Sequence, residues 1–397
     1  MSKSLKRVLA ICTCAGIAFF APAISTKGPH VTIAIRTGLA GAFAAFCAVI
    51  WWFEYKRQKD KGEGLTSKPK AKTNFDWGMH YFRAFAILAI MACHYAGGFG
   101  YETANRVFFT TSTIYFLFIS GYLCQFLDQK RREAPISYYK KKVLNVICPF
   151  IIFSLIFAIL KGSFSCDFAF VKQLLLGRVQ GQYWYIPFVS FLFLASPFIC
   201  RMKNGKLLTL FSVSAFFFFV FAKRPGVFTV RWPAVFYMYA FFTVWYIMGF
   251  VYCRYKSQVD VILNGHWRLF LAGALFLFLI IWAPDWLGLS HVRGGGVTCI
   301  QRFLTMCCIL VLLGKIRDKR IWFLDQTAKF SFTLYFIHFA VYIQLSGVRD
   351  MLLSRMMFLP TVVAEILVFA VYVALMLVLS IIFKTAFGKA SRSLLGS

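Results

Sequence analysis

Apolar stretches of about 20 residues recur along this chain, and they restrict its fold more than any other feature. A stretch of 18 or more apolar residues predicts a membrane-crossing helix, because a helix satisfies its own backbone hydrogen bonds within lipid. Of the 397 residues, 60% are hydrophobic and 48 are phenylalanine, which is more apolar material than a soluble core requires. The sequence therefore predicts an all-α polytopic membrane protein.

Twelve membrane spans are predicted when each apolar stretch is counted once. They are 8–26, 31–53, 79–97, 107–127, 143–160, 183–200, 207–222, 234–253, 267–283, 297–314, 328–346 and 361–383. This divides the chain into a two-helix N-terminal unit (1–53), a basic linker (54–76) and a ten-helix body (77–397). Residues 1–26 have a basic start, an apolar core and a small-residue exit, so the first span is either an anchor or a cleaved signal peptide.

The basic residues are unevenly divided between the two sides of the predicted membrane. With the amino terminus placed in the cytoplasm, the segments on that side contain 29 Lys and Arg, and the opposite segments contain 11. Such an excess is the positive-inside pattern, and it predicts that both termini are cytoplasmic unless the first segment is cleaved. The net charge of +30 therefore reflects topology and attraction to anionic lipid head groups, and not nucleic-acid binding.

Arg83 and His94 lie in the third span and are separated by ten residues. Eleven positions along an α-helix make about three turns, so both side chains fall on nearly the same face, about 16 Å apart. A cation and an imidazole at membrane depth are costly unless they line a cavity or meet a partner. The pair therefore predicts a functional site. Two alternatives remain open, namely that Arg83 extends to the membrane surface and that His94 is a packed histidine.

Ionisable residues within the predicted spans are basic with one exception, Glu365, which is either neutral or paired with a cation such as Arg302. Proton-coupled transporters usually carry several acids at membrane depth, and this chain does not. Basic groups suit a site that binds an anion and removes a proton from a neutral ligand, for which imidazole is a natural base. His80 is expected to meet solvent or lipid head groups. The cysteines have no metal-ligand spacing, so no metal site is predicted.

Five segments resemble, in order, the motifs of the membrane acyltransferase-3 family, bacterial integral-membrane O-acyltransferases that modify cell-surface glycans. The first is the Arg83–His94 pair on the first helix of the body. The others are 116–123 (FLFISGYL), 138–149 (YYKKKVLNVICP), 183–187 (YWYIP) followed by Ser196 and Pro197, and 331–338 (SFTLYFIH). In the family pattern, aromatic and basic residues precede a proline that opens the third helix, which here is Pro149.

The chain differs from the family pattern in three respects. His80 stands where members often have an aspartate three residues before the arginine, with Asp76 about one turn earlier. Lysines replace the arginines that are usual near the third helix, and Asn145 stands where another arginine is common. Lysine keeps the positive charge but lacks the bidentate fork of arginine. Phosphate contact is therefore retained in a different geometry.

The resemblance implies an O-acyltransferase that moves an acyl group, most simply acetyl, from cytoplasmic acyl-CoA to a hydroxyl of a cell-envelope or exported glycan. It implies that His94 acts as a base and that Arg83 holds the donor or stabilises charge on the thioester oxygen. Candidate contacts to the donor phosphates are Lys140, Lys141 and Lys142. Candidates for binding the acceptor or lining the cavity are Trp184, Tyr335, His338, Arg302 and Ser120.

The same resemblance implies a multi-pass protein of the bacterial inner membrane, with lipid, acyl-CoA and a glycan or lipid-linked sugar as partners. It implies no permanently bound cofactor, no metal and no nucleic acid. Some family members carry a periplasmic domain with a Gly-Asp-Ser nucleophile, and this chain has no such tripeptide. The acyl group would then pass directly to the acceptor, through a covalent intermediate, or to a separate periplasmic carrier or transferase.

Other interpretations remain for the protein and for its residues. A flippase or exporter of a lipid-linked sugar or other anionic amphiphile would also use a cationic face, and an accessory membrane subunit is a third class. Trp184 fits an ordinary aromatic belt, Ser120 with Gly121 fits close helix packing, and His338 fits a packed core histidine. The lysine run fits the positive-inside pattern alone, and Arg302 is near enough to a span end to reach the membrane surface.

Overall fold

The computed structural model describes residues 75–101, 105–130, 134–202, 204–221, 232–286 and 295–396. Within these ranges the chain is helical and contains no strand, which confirms the all-α prediction. The predicted spans 8–26 and 31–53, the signal-peptide alternative and nearly all of the predicted linker lie outside the described residues.

The described residues form sixteen α-helices. In chain order they are α1 Trp77–Gly98, α2 Thr113–Lys130, α3 Pro135–Lys142, α4 Cys148–Leu160, α5 Phe168–Leu175, α6 Tyr185–Arg201, α7 Gly205–Phe221, α8 Trp232–Arg254, α9 Lys256–Gly265, α10 Trp267–Trp286, α11 Gly295–Lys315, α12 Trp322–Lys329, α13 Ser331–Gln344, α14 Ser346–Arg355, α15 Thr361–Phe387 and α16 Ser391–Leu395. There are also π-helical turns at Asn105–Phe109 and Val143–Ile147, and a 3-10 turn at Gly388–Ala390.

A helix overlaps each of the ten spans predicted for the body. Of the residues described, four helical runs are long and apolar enough to cross a membrane: Val107–Lys130, Pro135–Leu160, Gly296–Lys315 and Thr361–Leu395. Two further pairs of helices pass the same test together, α9 with α10 and α13 with α14, and they are bent by 71° and 67°. The total is six if each pair counts as one span. Large side chains such as Phe221 and Leu269 are exposed on the helices, as lipid contact requires. The number of ten spans stays a prediction.

The third helix of the body begins earlier than the sequence predicts. The predicted span starts at residue 143, and the family pattern puts Pro149 at the opening of the helix, but the helical run starts at Pro135 and passes through the π-helical turn Val143–Ile147. A proline has no N–H and its ring crowds the carbonyl four residues back, so a wider turn just before Pro149 relieves that clash. The lysines at 140–142 therefore lie within the helical run, and not in a loop before it.

The chain folds into two compact units. The α1 unit comprises Phe75–Lys140 and Phe188–Ala328, and the described part of the α13 unit lies in Lys141–Pro187 and Lys329–Ser397. Each unit has its own buried aromatic core, which includes Tyr81 in the α1 unit and Tyr183 in the α13 unit.

Glycine allows two helices of the α1 unit, α2 and α8, to pack backbone against backbone. A Cβ atom on Gly121 would lie 2.0 Å from the carbonyl oxygen of Tyr246, and one on Gly249 would lie 2.1 Å from that of Phe118. Both distances are far below van der Waals contact, so only glycine fits at these positions. The small residue beside Ser120 therefore has the packing role that was one interpretation of this motif.

Aromatic side chains from α4, α13 and α15 form the core of the α13 unit. Phe153 stacks on Phe336 with ring centroids 4.9 Å apart, and Tyr342 meets the ring of Tyr372 edge-on at 5.3 Å. The Tyr372 hydroxyl donates to the carbonyl of Leu345 at 2.6 Å, at the bend between α13 and α14. These contacts fix α13, which carries two of the predicted site residues.

Candidate active site

The start of α1 is capped and tied to the segment that leads into α12. The carboxylate of Asp76 accepts a hydrogen bond from the N–H of Met79 at 3.1 Å, which satisfies one of the free donors of the first turn. The Tyr81 hydroxyl, fully buried, donates to the carbonyl of Lys319 at 2.8 Å. This bond holds the segment before Asp325 against the first two turns of α1.

A buried carboxylate faces α1 at His80. Asp325 is 1% exposed, and its Oδ1 lies 3.1 Å from Nε2 of His80. Its Oδ2 accepts two hydrogen bonds from the Arg320 guanidinium, at 3.1 and 3.3 Å. The prediction that His80 meets solvent or lipid head groups is wrong, because its side chain is only 11% exposed and is bonded to Asp325.

Arg83 lies one turn after His80 on α1 and is half-buried. Its charge is near enough to act on the His80 imidazole. Arg83 therefore acts on the imidazole of His80, and that imidazole in turn contacts the buried carboxylate of Asp325. The carboxylate of Asp325 offsets part of the cost of holding two basic side chains within an apolar helix packing.

The other end of α1 carries His94, which is also half-buried. Arg302 on α11 is fully buried and donates to the carbonyls of Val107 at 3.0 Å and Thr110 at 2.9 Å. Its charge also reaches Cys93, the residue before His94. This burial does not fit the alternative in which Arg302 extends to the membrane surface. Its role in lining an acceptor cavity stays a prediction.

The segment that Arg302 binds is irregular, and it connects α1 to α2. Gln301 donates to the carbonyl of Val107 at 3.1 Å and accepts from Arg302 at 2.7 Å, so the two neighbours act as one clamp. Thr111, just beyond the π-helical turn, has a φ angle of 72°, which side chains other than glycine rarely adopt. Such strain persists only where surrounding contacts over-determine it, and the clamp supplies such contacts.

In the α13 unit, two of the family-like segments are joined by a reciprocal pair of hydrogen bonds. The Tyr335 hydroxyl donates to the carbonyl of Gln182, and the Tyr183 hydroxyl donates to the carbonyl of Phe336 at 3.1 Å. All four residues are buried. The segment 183–187 and the segment 331–338 are therefore one structural element in space, although about 150 residues separate them in the chain.

His338 lies on α13 one turn after Tyr335 and is fully buried. Its Nδ1 is 3.0 Å from the carbonyl oxygen of Leu334, and its ring centroid is 6.1 Å from that of Tyr335. Trp184 is half-buried, on the segment that Tyr335 binds. Trp184, Tyr335 and His338 therefore lie in the same unit, and their acceptor role stays a prediction.

The ten predicted site residues are divided equally between the units. Arg83, His94, Ser120, Lys140 and Arg302 belong to the α1 unit, and Lys141, Lys142, Trp184, Tyr335 and His338 belong to the α13 unit. Lys140 and Lys141 are exposed and Lys142 is half-buried. The Ser120 hydroxyl donates back to the carbonyl of Phe116 at 2.7 Å, a common arrangement of serine within a helix.

A cavity of about 370 Å³ opens beside the start of α1 in the α1 unit. Lys256 bridges two acids there, with Nζ 3.6 Å from Asp76 and 2.8 Å from Asp260. Charged side chains of both signs line it, namely Asp76, Lys256, Asp260, Lys315, Arg317 and Asp318. Because acids and cations balance, this cavity suits a polyphosphate less well than the uninterrupted lysine run at 140–142.

Glu365 forms an ion pair with Arg349. Arg302, the partner that the sequence suggested, is not its partner in this pair. Glu365 and Arg349 both lie in the α13 unit, where Glu365 is buried on α15. In the part of the chain that the structure describes, no group of three His, Cys, Asp or Glu side chains is arranged to hold a metal ion.

The apolar surfaces of these helices, and the basic groups between them, identify the chain as a membrane protein. A family model described as an acyltransferase domain matches residues 76–385, so the chain belongs to the acyltransferase-3 family of membrane acyltransferases. Comparison with curated proteins and with solved structures gave no match. All five family-like segments, from Arg83 to His338, fall within the matched region.

Sequence reasoning missed two buried polar groups, Asp325 and Gln182. Asp325 stands in a short polar stretch between predicted spans, and Gln182 ends a predicted outer loop, so hydropathy assigns both to solvent. The available signal was local. Gln182 directly precedes the aromatic segment 183–185, and Asp325 lies in the first turn of an amphipathic helix.

Proposed function

We propose that this membrane acyltransferase is an O-acyltransferase that moves an acyl group, most simply acetyl, from cytoplasmic acyl-CoA to a hydroxyl of a cell-envelope or exported glycan. The protein would lie in the bacterial inner membrane with both termini in the cytoplasm, unless the first segment is cleaved. Its partners would be lipid, acyl-CoA and a glycan or lipid-linked sugar.

The observation that carries this proposal is the placement of Arg83 and His94 on one buried helix of the family-matched region. Both side chains are half-buried, and about three helical turns separate them. A cation that holds an anionic donor and a base that accepts a hydroxyl proton are two groups that acyl transfer from acyl-CoA to an alcohol can use.

In the proposed reaction, His94 accepts the proton of the acceptor hydroxyl as its oxygen attacks the thioester carbonyl. Arg83 lies about 16 Å from His94 along the same helix, so its proposed role is to hold the donor on the cytoplasmic side. The carbon–sulfur bond then breaks, and the CoA sulfur takes up the proton that His94 accepted, so that CoA leaves as the thiol and His94 is again neutral. Transfer through an acyl group held covalently on the protein is an alternative order of the same bond changes.

The cationic stretch Lys140–Lys142 is the proposed contact for the phosphates of the donor. Two of these lysines are exposed, as contact with a nucleotide from the cytoplasm requires. Trp184, Tyr335 and His338, with Arg302 and Ser120, are the proposed acceptor or cavity-lining residues. The positive-inside pattern predicts that Arg83 lies toward the cytoplasm and His94 farther into the membrane, which suits transfer from an inner donor to an outer acceptor.

The test is acyl transfer by purified protein in proteoliposomes, with radiolabelled acetyl-CoA and envelope glycan as substrates. We expect the His94→Ala variant to lose about 100-fold or more of the rate, which is the usual worth of general-base catalysis. The matched control is His266→Ala, because His266 is exposed at the end of α9. This control should retain the wild-type rate.

Two results would contradict the proposal. Undiminished transfer by the His94→Ala variant would remove the proposed base. Movement of unmodified glycan across the membrane, with no label transferred by the wild-type protein, would instead favour a flippase or exporter. A mass increase of the glycan equal to one acyl group distinguishes these outcomes directly.

A further inference from the structure

Two buried glutamines stand two residues apart in the turn before α6, and their side chains differ in bonding. Gln180 and Gln182 are each 2% exposed. The amide oxygen of Gln180 accepts a hydrogen bond from Lys161 Nζ at 2.8 Å. Among the residues that the structure describes, neither the oxygen nor the nitrogen of the Gln182 amide has a hydrogen-bond partner.

A buried amide without partners is costly, because it has lost its water and gained nothing in return. A leucine of similar size would avoid that cost, so packing alone does not account for Gln182. Its backbone carbonyl, by contrast, is bound by the Tyr335 hydroxyl, and the turn is closed by a bond from the Tyr183 N–H to the Gln180 carbonyl at 3.0 Å. The amide is therefore held on a rigid frame.

The surroundings of Gln182 define the kind of ligand. Tyr183 and Trp184 follow it in the chain, and the ring of Tyr335 lies 6.3 Å from that of Tyr183. An amide donates and accepts at once, as a hydroxyl group does, so the two match each other in both directions. Tyr183 and Tyr335 are buried, whereas Trp184 is half-buried, and an aromatic ring beside a neutral donor and acceptor suits a neutral polar ring. This chemistry fits a sugar.

We propose that Gln182 forms a subsite that binds a hydroxyl group of a neutral sugar ring, next to the aromatic segment 183–185 and Tyr335. The assignment rests on the proposed function, because the sugar would be the acceptor or its neighbouring residue. Gln182 stands at the end of the predicted outer segment 162–182, on the side where the acceptor is expected.

The experiment compares Gln182→Leu with Gln180→Leu in full-length protein reconstituted in nanodiscs. The acceptor probes are the methyl glycosides of glucose, galactose, mannose and N-acetylglucosamine, with radiolabelled acetyl-CoA as donor. For Gln182→Leu we expect about a tenfold rise in the acceptor KM, an unchanged KM for acetyl-CoA and an equal or higher thermal midpoint. Gln182→Met serves as a second variant if leucine prevents folding.

The control should behave in the opposite way. Gln180→Leu removes a partner of Lys161, whose pKa is already lowered by burial, so its thermal midpoint should fall while the acceptor KM stays unchanged. Thermal stabilisation by the glycosides without donor gives a readout independent of turnover, and it should be lost in Gln182→Leu alone.

Each contrary result has a separate meaning. An unchanged acceptor KM and unchanged glycoside stabilisation in Gln182→Leu would overturn the subsite. A lower midpoint there would show that water alone satisfies the amide, which would overturn it as well. Equal effects of both variants would indicate general damage to the turn and would also overturn it. Absence of any label transfer by the wild-type protein would remove the proposed function first, and the subsite with it.

Discussion

Asp325 determines the electrostatics at the start of α1. It is buried, and it is shared between an imidazole at 3.1 Å and a guanidinium at 3.1 Å. Arg320 is 62% exposed, so water screens its part of the interaction, whereas His80 is 11% exposed. The His80 contact should therefore be the stronger of the two, because hydrogen bonds to charged groups gain strength away from water.

A pair of double-mutant cycles tests this order. The His80–Asp325 cycle should give a coupling of about 1–3 kcal/mol in the free energy of unfolding, because removal of either residue leaves a buried polar partner. The Arg320–Asp325 cycle is the matched control and should give less than about 1 kcal/mol, as exposed ion pairs do. SDS titration of the alanine variants in mixed micelles measures both. Equal couplings in the two cycles would contradict the assigned order.

At the scale of elements, the contact between α2 and α8 depends on two glycines that face backbone atoms of the opposite helix. Gly121 meets the carbonyl of Tyr246, and Gly249 meets the carbonyl of Phe118. Backbone atoms cannot rotate away from an added methyl group as a flexible side chain can. The two helices must therefore separate along their whole contact if either glycine gains a Cβ.

The substitution Gly121→Ala should destabilise the protein by about 1–3 kcal/mol or more, which is the usual cost of overpacking a fitted contact. The matched control is Gly314→Ala on α11, where an added Cβ meets no atom within 4 Å. This control should be neutral or stabilising by up to about 1 kcal/mol, since alanine favours a helix. Thermal unfolding in detergent measures both changes. A similar midpoint for the two variants would contradict the close packing of α2 with α8.

Helix positions could be predicted from the sequence because hydropathy is a local property, and each predicted body span overlaps a helix. The start of the third helix could not, because its first turns, Pro135–Lys142, are polar and basic and so have no apolar signature. Pairings across the chain were also beyond reach. His80 and Asp325 are separated by 245 residues, and a single sequence does not indicate which acid turns inward to meet a given base.

Part of the candidate site could be predicted, because its signal in the sequence is also local. Arg83 and His94 stand out because charge is expensive in an apolar helix, which makes their signal independent of tertiary structure. Gln182 is uncharged and borders a loop, so nothing in the sequence separates it from Gln180. Their difference arises only because Lys161 binds one of them and not the other.

For the whole molecule, the direction of acyl transfer depends on which side of the membrane each segment occupies. The positive-inside pattern predicts that segment 162–182 is outside and that the segment around α9 is in the cytoplasm. Cys166 and Ser257 are exposed representatives of these two segments. Because both are accessible in the folded protein, a reagent that cannot cross the membrane should report their sides without unfolding it.

A membrane-impermeant maleimide should label Cys166 in right-side-out vesicles, with the labelled peptide identified by mass spectrometry and Cys166→Ser as the control. In the Cys166→Ser background, Ser257→Cys should be labelled only in inside-out vesicles. Both residues are exposed, so a difference in labelling reflects the side of the membrane and not burial. The reverse pattern would place the lysine run at 140–142 outside, where cytoplasmic acyl-CoA cannot reach it, and would contradict the proposed direction of transfer.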